Sequence, residues 1–150
     1  MTDLRAFHAD HGATFVERAG REVVSRYHDP GRTHHAVRNA AGAIEMPYGV
    51  LRIGGSDRVD YVDDVVTNRV PREDGEGTYA FLLDPQGRVE TDLQVYNAGE
   101  RLLIFTPPGK AAWIESEWEV FIEDVDIEVA TGAFAVFGVH GPKATEKVAS

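Results

Sequence analysis

Between Thr78 and Thr106 three extended runs, Thr78 to Leu83, Arg88 to Tyr96 and Arg101 to Thr106, are separated only by Asp84-Pro-Gln-Gly87 and Asn97-Ala-Gly-Glu100. Aspartate, asparagine, proline and glycine at those positions are turn formers, each for its own backbone reason. The chain is thereby committed to a three-strand meander. Side chains on a strand alternate between faces, so on the middle run Val89, Thr91, Leu93 and Val95 share one surface and Glu90, Asp92, Gln94 and Tyr96 the other. Two carboxylates then point the same way. A half-exposed antiparallel strand normally shows such alternation, and Glu90 and Asp92 read first as a solvated face. Tyr79 in the preceding strand and Tyr96 in the same one add two rings to the region of Asp92. Aromatic walls with one acid suit a flat heterocycle bearing hydrogen-bond donors.

The flanking segments supply helices and further strands. Ala6 to Arg18 reads as a helix and Glu22 to Tyr27 as a short strand, with Asp29-Pro-Gly31 breaking the chain. Thr33 is the expected N-cap of a helix over 34–41 that Gly42 ends. Tyr48 to Ile53 reads as extended, and Ser56 as the cap of a helix through Val66 whose Val59, Val62, Val65 and Val66 fall on one face. After the meander come a helix over 109–118, strands near 122–129 and 134–139, and a last helix opened by Gly141-Pro142. The predicted fold class is α+β, an antiparallel sheet with packed helices. A length of 150 residues suits one domain over 1–150. The last helix has barely begun at Ser150, so the chain is expected to be the N-terminal piece of something longer.

Composition narrows the chemistry. The absence of cysteine excludes disulfides, thiolate nucleophiles and cysteine-ligated metals within these residues. A net charge of −10 argues against nucleic acid as a partner, because phosphate binding needs a basic surface. Only Lys110, Lys143 and Lys147 are lysines, and with the excess of acid this reads as a salt-adapted, halophilic surface. No run approaches membrane-spanning length or signal-peptide character, so a cytoplasmic protein without a membrane partner is the default expectation.

His34 and His35 project about 100° apart on a helix, which suits surface residues better than a shared metal ion. His8 and His11 lack a partner at ligand spacing. Gly54-Gly-Ser56 and Gly138-Val-His-Gly141 resemble fragments of phosphate loops, but without the full glycine fingerprint their expected role is to turn the chain.

Taken in order, several short motifs resemble the aminomethyltransferase superfamily, the glycine-cleavage T-proteins and their tetrahydrofolate-binding relatives. They are His35-Ala-Val-Arg38 with Gly42, Ile53-Gly-Gly55, Val66-Thr-Asn-Arg-Val70, Gly77-Thr-Tyr79, Leu83-Asp-Pro-Gln-Gly87, Val89 to Val95 and Val139-His-Gly-Pro142. The resemblance implies the first part of that folate-binding fold. It implies a tetrahydrofolate-dependent aminomethyl transfer in which a lipoylated carrier protein is the partner. The family's Asp-Asp-Leu-Ile-Val strand matches Thr91-Asp-Leu-Gln-Val95, so the resemblance assigns Asp92 to the catalytic carboxylate, with Tyr79 and Tyr96 as cofactor-binding neighbours. Glu90 matches an apolar family position and reads as a surface acid. Ile44-Glu-Met-Pro-Tyr-Gly49 and Phe105-Thr-Pro-Pro108 depart from the glycine-cleavage pattern. They fit an alternative branch, folate-binding accessory proteins that assist iron–sulfur enzyme maintenance without transferase turnover.

Overall fold

The computed structural model describes residues 3–118 and 124–149. In chain order the elements are α1 (Leu4–Asp10), β1 (Ala13–Arg18), β2 (Arg21–Tyr27), α2 (Pro30–Asn39), β3 (Gly42–Met46), β4 (Gly49–Gly54), α3 (Arg58–Val65), β5 (Gly77–Leu83), β6 (Val89–Asn97), β7 (Leu102–Thr106), α4 (Lys110–Glu117), β8 (Asp126–Val129), β9 (Val136–His140) and α5 (Ala144–Val148). They fall into two compact units, Tyr48–Phe134 and a second made of the segments before and after it. The α+β class read from the sequence is the class observed.

In the Tyr48–Phe134 unit, five antiparallel strands lie in the order β5-β6-β7-β4-β8. The meander β5-β6-β7 is the one its turns dictate. Asp84 accepts hydrogen bonds from the Gln86 and Arg88 amides, each at 2.9 Å, and Gly87 takes a left-handed φ of 80°. The Arg88 amide and then its guanidinium hold the Asp84 carboxyl below the usual carboxylate range, against the opposing effect of burial. At the second turn Gly99 has φ 70° and its amide donates to Asn97 Oδ1.

One sheet face, carrying Leu51, Ile53, Ala80, Leu93, Val95, Leu102 and Ile104, is covered by Val62 of α3 and by Ala111 and Ile114 of α4. Burying each Leu, Ile or Val contributes about 1.5–3 kcal/mol, so this layer is the core. The valine stripe of α3 falls as its spacing requires, with Val62 buried and Val59, Val65 and Val66 packed beside it. The cap differs: Asp57 stands at the N-cap, while Ser56 Oγ and its amide donate to Asp124 Oδ2 at 3.0 Å. The protein's own carboxylate thus occupies the loop that resembled a phosphate cradle. Sheet edges invite unwanted pairing, and at β5 the Val66–Val70 segment blocks it. Thr67 N donates to Phe81 O, Phe81 N donates to Thr67 Oγ1, and Asn68 Nδ2 donates to Tyr79 O.

In the other unit β1 pairs with β2 and β3 with β9, both antiparallel. Here the sequence reading needs correction. The helix expected over Ala6–Arg18 ends at Asp10, and Ala13–Arg18 is a strand. Gly12, at φ 75°, turns the chain, and the Thr14-Phe-Val16 run has the β-branched and aromatic character that suits pairing. Likewise α2 starts three residues before the expected Thr33 cap. Asp29 accepts from the Gly31 amide at 2.8 Å, with Pro30 at the first helical position. The helix stops at Asn39, and Gly42 begins β3 instead of ending α2. Of the strand expected near 122–129, Asp126–Val129 is observed and 122–123 lie outside the described residues.

Candidate functional site

The sheet face opposite α3 and α4 is built in rows by strand register. Phe81 pairs with Asp92, Tyr79 with Gln94 and then Phe105, and Gly77 with Tyr96 and then Leu103. Four rings therefore surround two short polar side chains. Tyr79 reaches diagonally across the pair, and its hydroxyl donates to Asp92 Oδ2 at 3.0 Å. Phe81 stands edge-on to Tyr79 with centroids 5.2 Å apart, and Phe105 edge-on to Tyr96 at 5.7 Å. The Tyr96 hydroxyl donates to Gln94 Oε1 at 3.3 Å, so Tyr96 shares the face of Asp92 with its hydroxyl turned to Gln94. Gly77 makes room for that ring, since a Cβ there would lie 2.4 Å from Tyr96 Cδ1.

Tyr79 is 50% exposed and Tyr96 41%, whereas Asp92 and Gln94 are half-buried. Partial burial and then the hydrogen-bonded Asp92 carboxylate push the Tyr79 phenol above its ordinary value. The phenol thus remains a donor at neutral pH. One carboxylate oxygen is held by Tyr79. Among the described residues nothing bonds the other, and a flat ligand lying on the rings could donate to it. The sequence reading put Asp92 and Tyr96 on one face and Tyr79 in the same sheet region, and the structure brings Tyr79 onto that face as well. It missed Phe81 and Phe105, although the alternation of Tyr79, Phe81 and Leu83 along β5 carried the signal for the first.

Glu90 is where the alternation fails. The β5–β6 register shifts between Leu82 and Leu83, so Leu82 pairs with Thr91 and Leu83 with Val89. Glu90 is left without a cross-strand partner. Bulges re-aim side chains, and Glu90 lines a cavity together with Leu82 and Trp118 of the core layer. Glu90 and Asp92 therefore do not share a surface.

A polar cluster in the other unit also escaped the sequence reading. His8 is 2% exposed, with Nε2 at 2.9 Å from Glu45 Oε2 and Nδ1 at 2.7 Å from the Tyr27 hydroxyl. A carboxylate only accepts, so Nε2 carries a proton, and in the neutral ring Nδ1 accepts from Tyr27. Burial and then Glu45 push the Tyr27 phenol up. The partner of His8 lies 37 residues away in sequence, and no local spacing signals it. His34 and His35 are exposed on α2 with ring centroids 6.3 Å apart. Among the described residues no group of three or more His, Asp or Glu side chains is placed to hold a metal ion. No helix among them is long and apolar enough to cross a membrane.

Comparison with known proteins gives this face a context. A solved structure, the glycine cleavage system aminomethyltransferase T from Bartonella henselae, superposes with a TM-score of 0.76 over 97% of this chain and 42% of its own length. At 21% identity that likeness concerns the fold. Among curated proteins, the aminomethyltransferase of Saccharopolyspora erythraea is 32% identical, over 99% of this chain and 42% of its own length. That of Chromobacterium violaceum is 33% identical over the same shares. A probable aminomethyltransferase of Pyrococcus horikoshii is 29% identical, over 93% of this chain and 38% of its own. The chain thus spans about two fifths of the length of these relatives. The model of the GCVT N-terminal domain matches residues 4–150, and with that match the chain belongs to the GCVT N-terminal domain family.

Proposed function

We propose that this chain contributes the carboxylate side of a tetrahydrofolate-dependent aminomethyl transferase site. The observation that carries the reading is the Tyr79 hydroxyl donating to Asp92 Oδ2 at 3.0 Å within a ring-lined sheet face. A tyrosine held as a phenol fixes the orientation of the acid, and an oriented acid is what proton transfer at a reacting amine needs. Asp92 acts as the catalytic group: its remaining oxygen accepts from the pterin or the amine and stabilises the positive charge that develops there. Tyr79 and Tyr96 act as walls for the flat ring of the cofactor. The aminomethyl group arrives on a lipoylated carrier protein. The 1–150 span is on this reading the N-terminal part of the folate-binding fold.

The test has two arms. In a chain extended to the length of its relatives, Asp92→Asn should lower aminomethyl transfer to tetrahydrofolate by about 10²–10⁴-fold, the range of a positioned proton-transfer group. Glu100→Gln, in the exposed turn after β6, should leave it near wild type. Calorimetry with tetrahydrofolate should show tight binding to the extended chain and weak binding to residues 1–150 alone, because pockets bury most of a ligand's surface. Undiminished transfer in Asp92→Asn sinks the assignment. Tight folate binding without any turnover by the wild type would favour the accessory reading instead.

A further inference from the structure

Two polar side chains stand in the ring-lined row of β6, and a tyrosine hydroxyl holds each of them. Tyr79 donates to Asp92 Oδ2 at 3.0 Å, and Tyr96 donates to Gln94 Oε1 at 3.3 Å. Each side chain is thereby left with one hydrogen-bonding end. A carboxylate only accepts, so Asp92 keeps an acceptor in Oδ1, while an amide whose oxygen is engaged keeps its NH2, and Gln94 keeps a donor in Nε2. Gln94 Nε2 makes no hydrogen bond among the described residues. Gln94 is half-buried, yet that nitrogen is not enclosed, because the enclosed side-chain atoms without a partner among the described residues are Arg58 Nε and Trp118 Nε1. Strand register sets Gln94 between Tyr79 of β5 and Phe105 of β7, and Asp92 beside Phe81. A free donor and a free acceptor thus stand two positions apart on one strand face, their Cα atoms roughly 7 Å apart, with rings on their flanks. The matching position of the family's Asp-Asp-Leu-Ile-Val strand is isoleucine, so the donor belongs to this chain in particular.

We propose that Gln94 is a specificity-determining residue of this site, its amide donating to a ring carbonyl of the flat cosubstrate while Asp92 accepts from the N–H beside that carbonyl. The inference rests on the tetrahydrofolate reading of the Asp92 face. In a tetrahydropterin the C4 carbonyl and the N5–H project side by side from one edge of the ring system, so a single edge satisfies both free ends. Tyr96 acts as a positioning residue: by holding Oε1 it fixes which end of the amide is left for the ligand. A ring that carries an amino group in place of the carbonyl would set a donor against the Gln94 donor. A site built to donate to a carbonyl rejects such an analogue because its own polar group is then left unpaired.

The test is calorimetry on the chain extended to the length of its relatives, with tetrahydrofolate and with its 4-amino-4-deoxy analogue, which has NH2 where the carbonyl stands. Wild type should bind tetrahydrofolate at least about tenfold more tightly than the analogue. Gln94→Leu keeps the size of the side chain and removes the donor, so the ratio of the two affinities should fall by about tenfold, through weaker binding of tetrahydrofolate. Gln94→Glu replaces the donor by an acceptor that suits the amino group, and its ratio should fall further, in favour of the analogue. Both changes are at a half-buried strand position, and thermal melts check that the variants are folded. A ratio that neither folded variant moves overturns the inference. If Asp92→Asn still lowers aminomethyl transfer in that case, the transferase reading stands without it. An extended wild-type chain that shows no saturable binding of tetrahydrofolate overturns both.

Discussion

Asp92 and Glu90 stand two positions apart on β6, yet one joins a ring-lined face and the other a cavity on the core side. The single unpaired position separates them, and without it strict alternation would leave two acids competing on one surface. Tyr79 provides the most direct check on the Asp92 side. Its phenol is raised by partial burial and by the neighbouring carboxylate, both of which disfavour the phenolate. In Asp92→Asn the anion is gone, so the Tyr79 titration should move down while staying above that of a free tyrosine. Carbon-13 NMR of the labelled phenol ring reads this, and an unchanged titration would mean that Asp92 does not sense Tyr79 in solution. Tyr79→Phe removes one donor from a half-exposed side chain, so thermal stability should change by no more than about 1 kcal/mol.

Among the elements, the loop between β4 and α3 combines the tightest constraints. Gly55 has φ 93°, and a Cβ there would lie 2.0 Å from the backbone oxygen of Asp124. Gly55→Ala must therefore shift backbone as well as accept a strained φ. Urea unfolding should show a loss of about 3 kcal/mol or more. Arg58 extends the same junction, donating to Gly55 O at 2.7 Å and to Gly99 O at the β6–β7 turn. Asp84 and Asp124 are both held below the usual carboxylate range, Asp84 first by the Arg88 amide and Asp124 by the Ser56 amide and hydroxyl. A depressed folded-state value means that the unfolded chain takes up the proton first as pH falls. The contribution of these turns is complete above about pH 4 and lost as pH drops through the folded values. Asp84→Asn should flatten that acid limb in a pH series of thermal melts, and an acid limb identical to wild type would refute it. Of the two, the Asp84 turn was legible in the sequence, because an Asx turn is written in four consecutive positions, whereas Asp124 meets Ser56 across 68 residues.

At the scale of the whole molecule, the two units differ in how much each buries. The Tyr48–Phe134 unit has a continuous apolar layer from Leu51 to Trp118, while the other unit has Val23, Val24 and His8 as its only buried side chains among the described residues. Hydrogen exchange should accordingly leave amides of β4, β6 and β7 protected longest and those of β1, β3 and β9 exchanging sooner. Equal protection in both units would contradict this account of the core. The net charge of −10 adds a self-repulsion that salt screens, so the melting temperature should rise between low salt and about 1 M. By itself the sequence determined the α+β class, the meander with its two turns, the apolar stripe of α3 and the face that Asp92 shares with Tyr96. All of these follow from periodicity and turn chemistry within a few residues. Tertiary structure alone decided that 13–18 pairs as a strand, that Thr67 and Asn68 close the edge of β5, and that Glu90 leaves the face of Asp92. The same holds for His8, which is buried between Tyr27 and Glu45. In each case the deciding partner is distant in the chain or depends on a register shift, and neither leaves a periodic signal for local propensity to express.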